Sequence, residues 1–250
     1  MTHTLLILGG TTEATALGAA VAEAGLSGTV SFAGRVDRPK RQPLPQRIGG
    51  FGGIAGLRDY IATHQITHVV DATHPFAAQM SRNAVAACAQ AGVPLIALTR
   101  APWVAQGADN WTHVRAIAGA VAALDRPAAR VMLAVGRMNL ADFAPNPQHF
   151  YLLRLVDPPQ SPPPLPDHHV LVSRGPFTAV DDRALMKEHG IDLIVSKNAG
   201  GTGAYAKIAA ARTLGLPVIM IDRPAIPERK EAYSVADVMA WLGHGADLGV

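Results

Sequence analysis

Leu5-Leu6-Ile7-Leu8-Gly9-Gly10-Thr11-Thr12-Glu13-Ala14 decides the fold. The apolar run is too short to be a helix by itself and reads as a short buried strand. Gly9 and Gly10 let the backbone turn sharply and approach a ligand closely. Thr11 and Thr12 offer hydroxyls and helix caps. The helix that follows points its free N–H groups at an anion. Strand, glycine turn and helix start together form the geometry by which an open α/β sheet holds a phosphate. The dinucleotide fingerprint asks for glycine at its first, third and sixth positions. Those positions here are Gly9, Thr11 and Ala14. The motif alone therefore fits both a nucleotide site and an ordinary strand-to-helix turn.

Outward from this stretch, strands and helices alternate. Strands are expected at 4–8, 29–33, 67–71 and 94–98, with helices at 12–25, near 54–63 and from Phe76 to Ala91. Residues 101–110 read as irregular. Beyond them lie a helix near 116–124 and strands at 130–135, 149–155, 169–173, 191–195 and 217–221. Helices are expected at 178–189, 203–214 and 234–242. This alternation predicts an α/β protein of two Rossmann-like parallel-sheet domains with a cleft between them. The boundary falls at 100/101, giving a nucleotide-binding domain over 1–100 and a substrate-side domain over 101–250, whose C-terminal segment packs back on the first. The segment 157–167 carries six prolines in eleven residues. It reads as a stiff loop inside the second half rather than a linker.

A weak internal repeat supports two similar halves. Gly92-Val93-Pro94-Leu95-Ile96-Ala97-Leu98-Thr99-Arg100 resembles Gly215-Leu216-Pro217-Val218-Ile219-Met220-Ile221-Asp222-Arg223. Each copy follows an alanine-rich helix, and each helix follows a strand with a polar end. Ligands of such sheets sit beyond the carboxyl ends of the strands.

Three polar stretches are candidates for chemistry. After the second strand comes a basic loop with Arg35, Arg38, Lys40, Arg41 and Arg47. No acidic residue occupies that strand end; Gly34 and Arg35 do. An acidic residue there binds ribose hydroxyls, whereas an arginine accommodates the 2′-phosphate of NADP, so if a dinucleotide binds, NADPH is favoured over NADH; a solvated basic loop is the other reading. The second is Asp71-Ala72-Thr73-His74-Pro75. Pro75 is expected in the first helical turn, where its missing N–H costs nothing. His74, at the helix entry, suits cofactor contact or proton donation, and equally a packing role. The third is Ser196-Lys197-Asn198-Ala199-Gly200-Gly201. A lysine beside a glycine turn suits a carboxylate or phosphate, and serves as an acid if its pKa is lowered. Arg100, Arg137, Arg154, Arg174 and Arg223 fall at strand ends or loops and together suit a ligand with many carboxylates.

Composition narrows the classes. The net charge of +3 is too mild to imply nucleic acid without a localised basic patch. The single cysteine, Cys88, excludes an internal disulfide and a cysteine-based zinc site. His64 and His68 lack a third ligand, so no metal is expected. No leader pattern or membrane-length apolar run is present, so a cytoplasmic location is expected. Oligomeric state is left open.

Leu8-Gly9-Gly10-Thr11-Thr12-Glu13-Ala14, Asp71-Ala72-Thr73-His74-Pro75-Phe76-Ala77, Ser173-Arg174-Gly175-Pro176-Phe177 and Ser196-Lys197-Asn198-Ala199-Gly200-Gly201 together resemble the precorrin-6A reductase family of cobalamin biosynthesis. Order and spacing match over nearly the full chain. Thr15 departs from the pattern, where many relatives carry arginine, and Ala199 stands where serine is frequent. No role of that arginine carries over.

The resemblance implies an NADPH-dependent reductase that reduces one carbon–carbon double bond of the precorrin-6A macrocycle to give precorrin-6B, without metal or flavin. It implies cofactor contacts from Gly9, Gly10, Thr11, Thr12, Glu13, Asp71, Ala72, Thr73 and Pro75, with Arg35, then Arg38, on the 2′-phosphate beside Gly34. Substrate carboxylates fall to Arg100, Arg137, Arg154, Arg174, Asn198, Gly200 and Gly201. Lys197, His74 or water supplies the proton. Two rivals stand beside it: an NADP-dependent reductase of another anionic substrate, and a non-catalytic two-lobed NADP- or anion-binding protein.

Overall fold

The computed structural model describes residues 3–33 and 42–247. The chain divides into two compact units, Met1–Arg100 with Ala225–Val250, and Ala101–Pro224. The first contains β1 (Thr4–Leu8), α1 (Thr12–Glu23), β2 (Ser27–Phe32), β3 (Gln46–Ile48), α2 (Gly53–Thr63), β4 (His68–Asp71), α3 (Ala78–Ala91) and β5 (Leu95–Leu98). The second contains β6 (Trp111–Val114), α4 (Ile117–Ala123), β7 (Arg130–Ala134), β8 (Phe150–Leu155), β9 (His168–Val172), α5 (Ala179–Glu188), β10 (Leu193–Lys197), α6 (Ala206–Leu214) and β11 (Val218–Ile221). The chain then returns to the first unit with β12 (Lys230–Ala232) and α7 (Val235–Asp247).

The apolar run of β1 is continuous because both of its faces are covered. Leu5 and Ile7 pack with Val30 against α1 and α7, through Ala14, Leu17, Val21, Val238 and Leu242. Leu6 and Leu8 pack the other way, against Leu57 and Ile61 of α2 and Ala84, Ala87 and Cys88 of α3. Alternating side chains thus feed two helix layers, as a central parallel strand requires. Cys88 is part of that core, and burial followed by the Asp71 charge pushes its thiol pKa up to about 12. It is a packing residue rather than a nucleophile.

The first sheet runs β3-β2-β1-β4-β5-β12, every pair parallel. Numbered within the unit this is 3-2-1-4-5-6, the dinucleotide-fold order, with the order reversing between β1 and β4. The second sheet runs β9-β8-β7-β10-β11-β6, also parallel. It has the same order, except that its outermost strand comes from the start of the unit. Its reversal lies between β7 and β10. The two Gly-x-Pro segments of the repeat lead into β5 and β11, the fifth positions of their sheets. β5 is followed by β6, which pairs with β11, and β11 is followed by β12, which pairs with β5.

Three strands lie outside the sequence expectation: β3, β6 and β12, of three or four residues each. Their sequences QRI, WTHV and KEA carry no apolar run, because edge strands of this kind have little to bury. β3 occupies part of the stretch read as basic loop. Two helices start more than one residue later than expected. α3 begins at Ala78 rather than Phe76. α6 begins at Ala206 rather than 203, after a turn in which the Tyr205 N–H donates to the Thr202 carbonyl at 3.2 Å. The proline-rich 157–167 segment joins β8 to β9 inside the second unit.

Candidate active site

The glycine turn after β1 is tied down on both sides. The Gly9 N–H donates to the Ser31 carbonyl of β2 at 2.8 Å, and the Ala72 N–H beyond β4 donates to the Leu8 carbonyl at 3.0 Å. Gly10 has φ +117°, a conformation that L side chains rarely adopt, and a Cβ placed on it would meet none of the described residues within 4 Å. The backbone is therefore open on that side, as a ligand-facing turn must be. Thr11 caps α1. Its Oγ1 accepts the Ala14 N–H at 3.1 Å and donates to the Ala72 carbonyl at 2.7 Å. One hydroxyl thus joins the ends of β1 and β4 across the point where strand order reverses. Thr12 Oγ1 donates to Glu13 Oε2 at 3.0 Å. Glu13 Oε1 lies 3.5 Å from Arg100 Nε at the end of β5. Gly9 to Glu13, Asp71 to Pro75 and Arg100 are therefore brought together. Gly34, Arg35 and Arg38 lie outside the described residues.

The loop after β4 is built on Asp71. Its Oδ1 accepts the Thr73 N–H at 3.1 Å and the Thr73 hydroxyl at 2.7 Å. Its Oδ2 pairs with Arg229 Nη1, and the two side chains are 1% and 8% exposed. Asp71 thus holds the loop in shape, with both oxygens spent inside the protein. Arg229 precedes β12, more than 150 positions away, and nothing in the sequence pairs it with Asp71. The expected place of Pro75 is corrected: it sits in a turn closed by the Ala77 N–H on the His74 carbonyl at 2.7 Å, ahead of α3. Proline's fixed φ suits the second position of such a turn as well as it suits a first helical turn. His74 Nδ1 accepts the Phe76 N–H at 3.2 Å, which puts the proton of the neutral ring on Nε2.

The second unit repeats the plan. Lys197 ends β10, and its Nζ donates to Asn139 Oδ1 at 2.7 Å. Asn139 belongs to a single 3-10 turn, Arg137–Asn139, that follows β7. Lys197 and Arg137 therefore flank the second sheet's own reversal point. Asn198 is spent internally: its Oδ1 accepts the Trp103 N–H at 2.8 Å and its Nδ2 donates to the Trp103 carbonyl at 2.9 Å. Arg223 donates to the carbonyls of Asn198 and Ala199, both at 3.1 Å. Trp103 Nε1 donates to the Gly201 carbonyl at 2.6 Å. The glycine turn is thus stapled by Trp103 and Arg223.

The arginines differ in the same way. Arg154 makes a two-nitrogen pair with Asp182 of α5, at 12% and 3% exposure, and lies over the Phe177 ring at 4.4 Å. This pair belongs to the core. Arg174 pairs with Asp157 but is itself 57% exposed. Such an exposed pair is worth little and exchanges readily for another carboxylate.

Nothing in the sequence distinguishes Lys207 on α6 from any lysine in a helix's first turn. It is buried; its Nζ donates to the Ala204 carbonyl at 2.7 Å and lies 4.9 Å from the Trp103 ring. Burial, then the neighbouring Arg154 charge, pushes its pKa from 10.5 down to about 8, against an opposing pull from Asp182. Between those values the unfolded chain binds the extra proton, so stability is expected to rise with pH from about 8 to 10.5. Urea unfolding of the parent and of Lys207→Met across that window checks this. The stability difference between them should change with pH there and be flat at lower pH.

Among the described residues no group of three or more His, Cys, Asp or Glu is placed to hold a metal ion, and no helix is long and apolar enough to cross a membrane.

These features meet a known family. The family model described as precorrin-6x reductase CbiJ/CobK matches residues 4–243. A precorrin-6A reductase from Rhodobacter capsulatus is 58% identical over 97% of this chain and 97% of its own length. One from Sinorhizobium sp is 48% identical over 88% of this chain and 84% of its own. A cobalt-precorrin-6A reductase from Priestia megaterium is 33% identical over 89% and 91%. A solved structure of CobK precorrin-6A reductase superposes with a TM-score of 0.93, covering 98% of this chain and 97% of that one. With parallel-sheet order, polar strand ends and family match in agreement, the chain belongs to the precorrin-6x reductase (CbiJ/CobK) family.

Proposed function

We propose that this chain reduces one carbon–carbon double bond of precorrin-6A with NADPH, giving precorrin-6B in cobalamin biosynthesis. Beyond family membership, the reading is carried by the Thr11 hydroxyl, which locks an open glycine turn to the loop after β4 where the strand order reverses. That crevice is where a dinucleotide lies in a sheet of this order. The open backbone at Gly10 and the N-terminus of α1 fit a pyrophosphate.

A bound nicotinamide dinucleotide supplies the hydride. The chain's own residues supply the rest. The Gly9–Glu13 turn holds the phosphates, and the Asp71–Pro75 loop, shaped by Asp71, flanks them. Arg35, with Arg38 second, takes the 2′-phosphate on the strength of its place after β2. Arg137, exposed Arg174 and the Gly200-Gly201 turn meet substrate carboxylates. Lys197 Nζ, oriented by Asn139, delivers the proton to the carbon left behind. His74, with its proton on Nε2, is the second candidate for that step. The conjugated macrocycle delocalises charge by itself, so positioning contributes most of the rate.

Lys197→Ala is expected to slow single-turnover reduction by roughly tenfold or more while leaving NADPH affinity near the parent value. Stopped-flow measurement with preformed complexes checks this. An unchanged rate removes Lys197 from the proton step, and the same experiment on His74→Ala then decides for the histidine or for water.

A further inference from the structure

Arg47 belongs to no role assigned so far. It lies in β3, in register with Ser31 of β2. Its Nη1 donates to Ser31 Oγ at 3.0 Å and to the Gly49 carbonyl at 2.9 Å, and its Nη2 donates to the Gly50 carbonyl at 3.1 Å. The guanidinium lies 3.9 Å from the Phe51 ring centroid and 5.1 Å from that of Tyr60. These contacts hold a flexible side chain in one orientation beside the carboxyl ends of β2 and β3. Ser31 links it to the nucleotide turn, since the Ser31 carbonyl receives the Gly9 N–H at 2.8 Å.

A guanidinium carries five N–H donors. Three are spent, so Nε–H and one Nη2–H have no partner among the described residues. Two donors of one planar cation are what a phosphate accepts in a paired, two-bond contact. The neighbouring backbone is open among the described residues: a Cβ placed on Gly49 or Gly50 would meet none of them within 4 Å. In a sheet ordered 3-2-1-4-5-6, the end of the second strand is where the ribose 2′ position is read. Arg47 stands beside that end, already ordered, so little rotamer entropy is lost when it binds.

We infer that Arg47 is a specificity-determining residue that recognises the 2′-phosphate of the cofactor. This rests on the NADPH reading above. A residue that only staples the Gly49-Gly50 turn would affect all dinucleotides alike. A residue that binds the 2′-phosphate would separate phosphorylated from unphosphorylated cofactor.

The test is calorimetric titration of the full chain with NADP+ and NAD+, for the parent, Arg47→Met and Arg47→Lys. Arg47→Met should weaken NADP+ by about tenfold or more and leave NAD+ within about twofold. Arg47→Lys keeps the charge but not the planar fork, and should fall between. Equal losses for both dinucleotides, or no loss for either, overturn the assignment. Should Arg47→Met lack a cooperative thermal transition, Arg47→Lys decides alone, and an unchanged NADP+ to NAD+ affinity ratio overturns the assignment. A parent chain that binds NADP+ no more tightly than NAD+ overturns the cofactor reading itself, and the Arg47 role with it. That outcome is visible before any variant is compared.

Discussion

Asp71→Ala is expected to lower the unfolding free energy by about 3–5 kcal/mol, the cost of removing one partner from a buried ion pair. Arg229, 8% exposed, would be left with only the partly exposed Glu231 carboxylate, 3.6 Å from its Nε. The Thr73 N–H and hydroxyl would lose their acceptor at the same time. Urea unfolding at neutral pH measures the loss. Asp71→Asn, which keeps an acceptor for Thr73 but no charge, should cost less. Adding Arg229→Met to Asp71→Ala should recover a large part of the loss, because the stranded cation is what makes the single change expensive. A double variant as unstable as Asp71→Ala alone would place the cost in the Thr73 contacts instead. The Ala72 carbonyl that receives Thr11 follows Asp71 directly, so dinucleotide affinity should fall along with stability.

Gly200→Ala is expected to cost roughly 2–5 kcal/mol, combining a left-handed backbone with overpacking. Gly200 has φ +70°, and an added Cβ would overlap Arg223 Nη2 and the Ala101 carbonyl oxygen. Arg223 is the staple of this turn, and the Ala101 carbonyl belongs to the backbone, so neither yields cheaply. Gly215 at the end of α6 supplies the control. Its φ is +67°, yet a Cβ there would meet nothing within 4 Å. Gly215→Ala should therefore cost only about 1 kcal/mol, the backbone share alone. Thermal unfolding of the two variants separates conformational strain from collision. Equal costs would mean that the turn opens without penalty. Because Lys197 lies three residues before Gly200, Gly200→Ala should also slow reduction.

The fold was readable where burial dictates sequence. Leu5 to Leu8 had to be apolar throughout because α1 and α7 cover one face and α2 and α3 the other. The repeat over 92–100 and 215–223 was visible because β5 and β11 occupy equivalent, doubly covered positions. β3, β6 and β12 were not readable, since a short strand at or near a sheet edge needs only a backbone ladder, which any residues except proline supply. The crossing of β6 and β12 into the sheets of β11 and β5 is a long-range pairing with no local signature.

For the candidate site, the sequence marks polar residues at strand ends but not how each is used. Asp71, Asn198, Arg154 and Arg223 all lie at or near strand ends, and all four bond within the protein. A polar residue at a strand end stabilises either the loop or the ligand, and its identity is the same in both cases. Lys207 and Arg47 show the converse. One looks like an ordinary helix lysine and the other like one cation among several in a basic loop. Only the packing of Trp103 and Ala204, or of Ser31, Phe51 and Gly49, distinguishes them.

The central claim is hydride transfer from NADPH to a carbon of the precorrin-6A macrocycle. The direct measurement uses NADPH carrying deuterium in place of both C4 hydrogens, mixed with precorrin-6A and the full chain, with the product analysed by mass spectrometry. Precorrin-6B containing one deuterium per molecule, formed in step with loss of NADPH absorbance, is the predicted result. A product without deuterium, or no loss of NADPH absorbance with both ligands shown to bind, would contradict it.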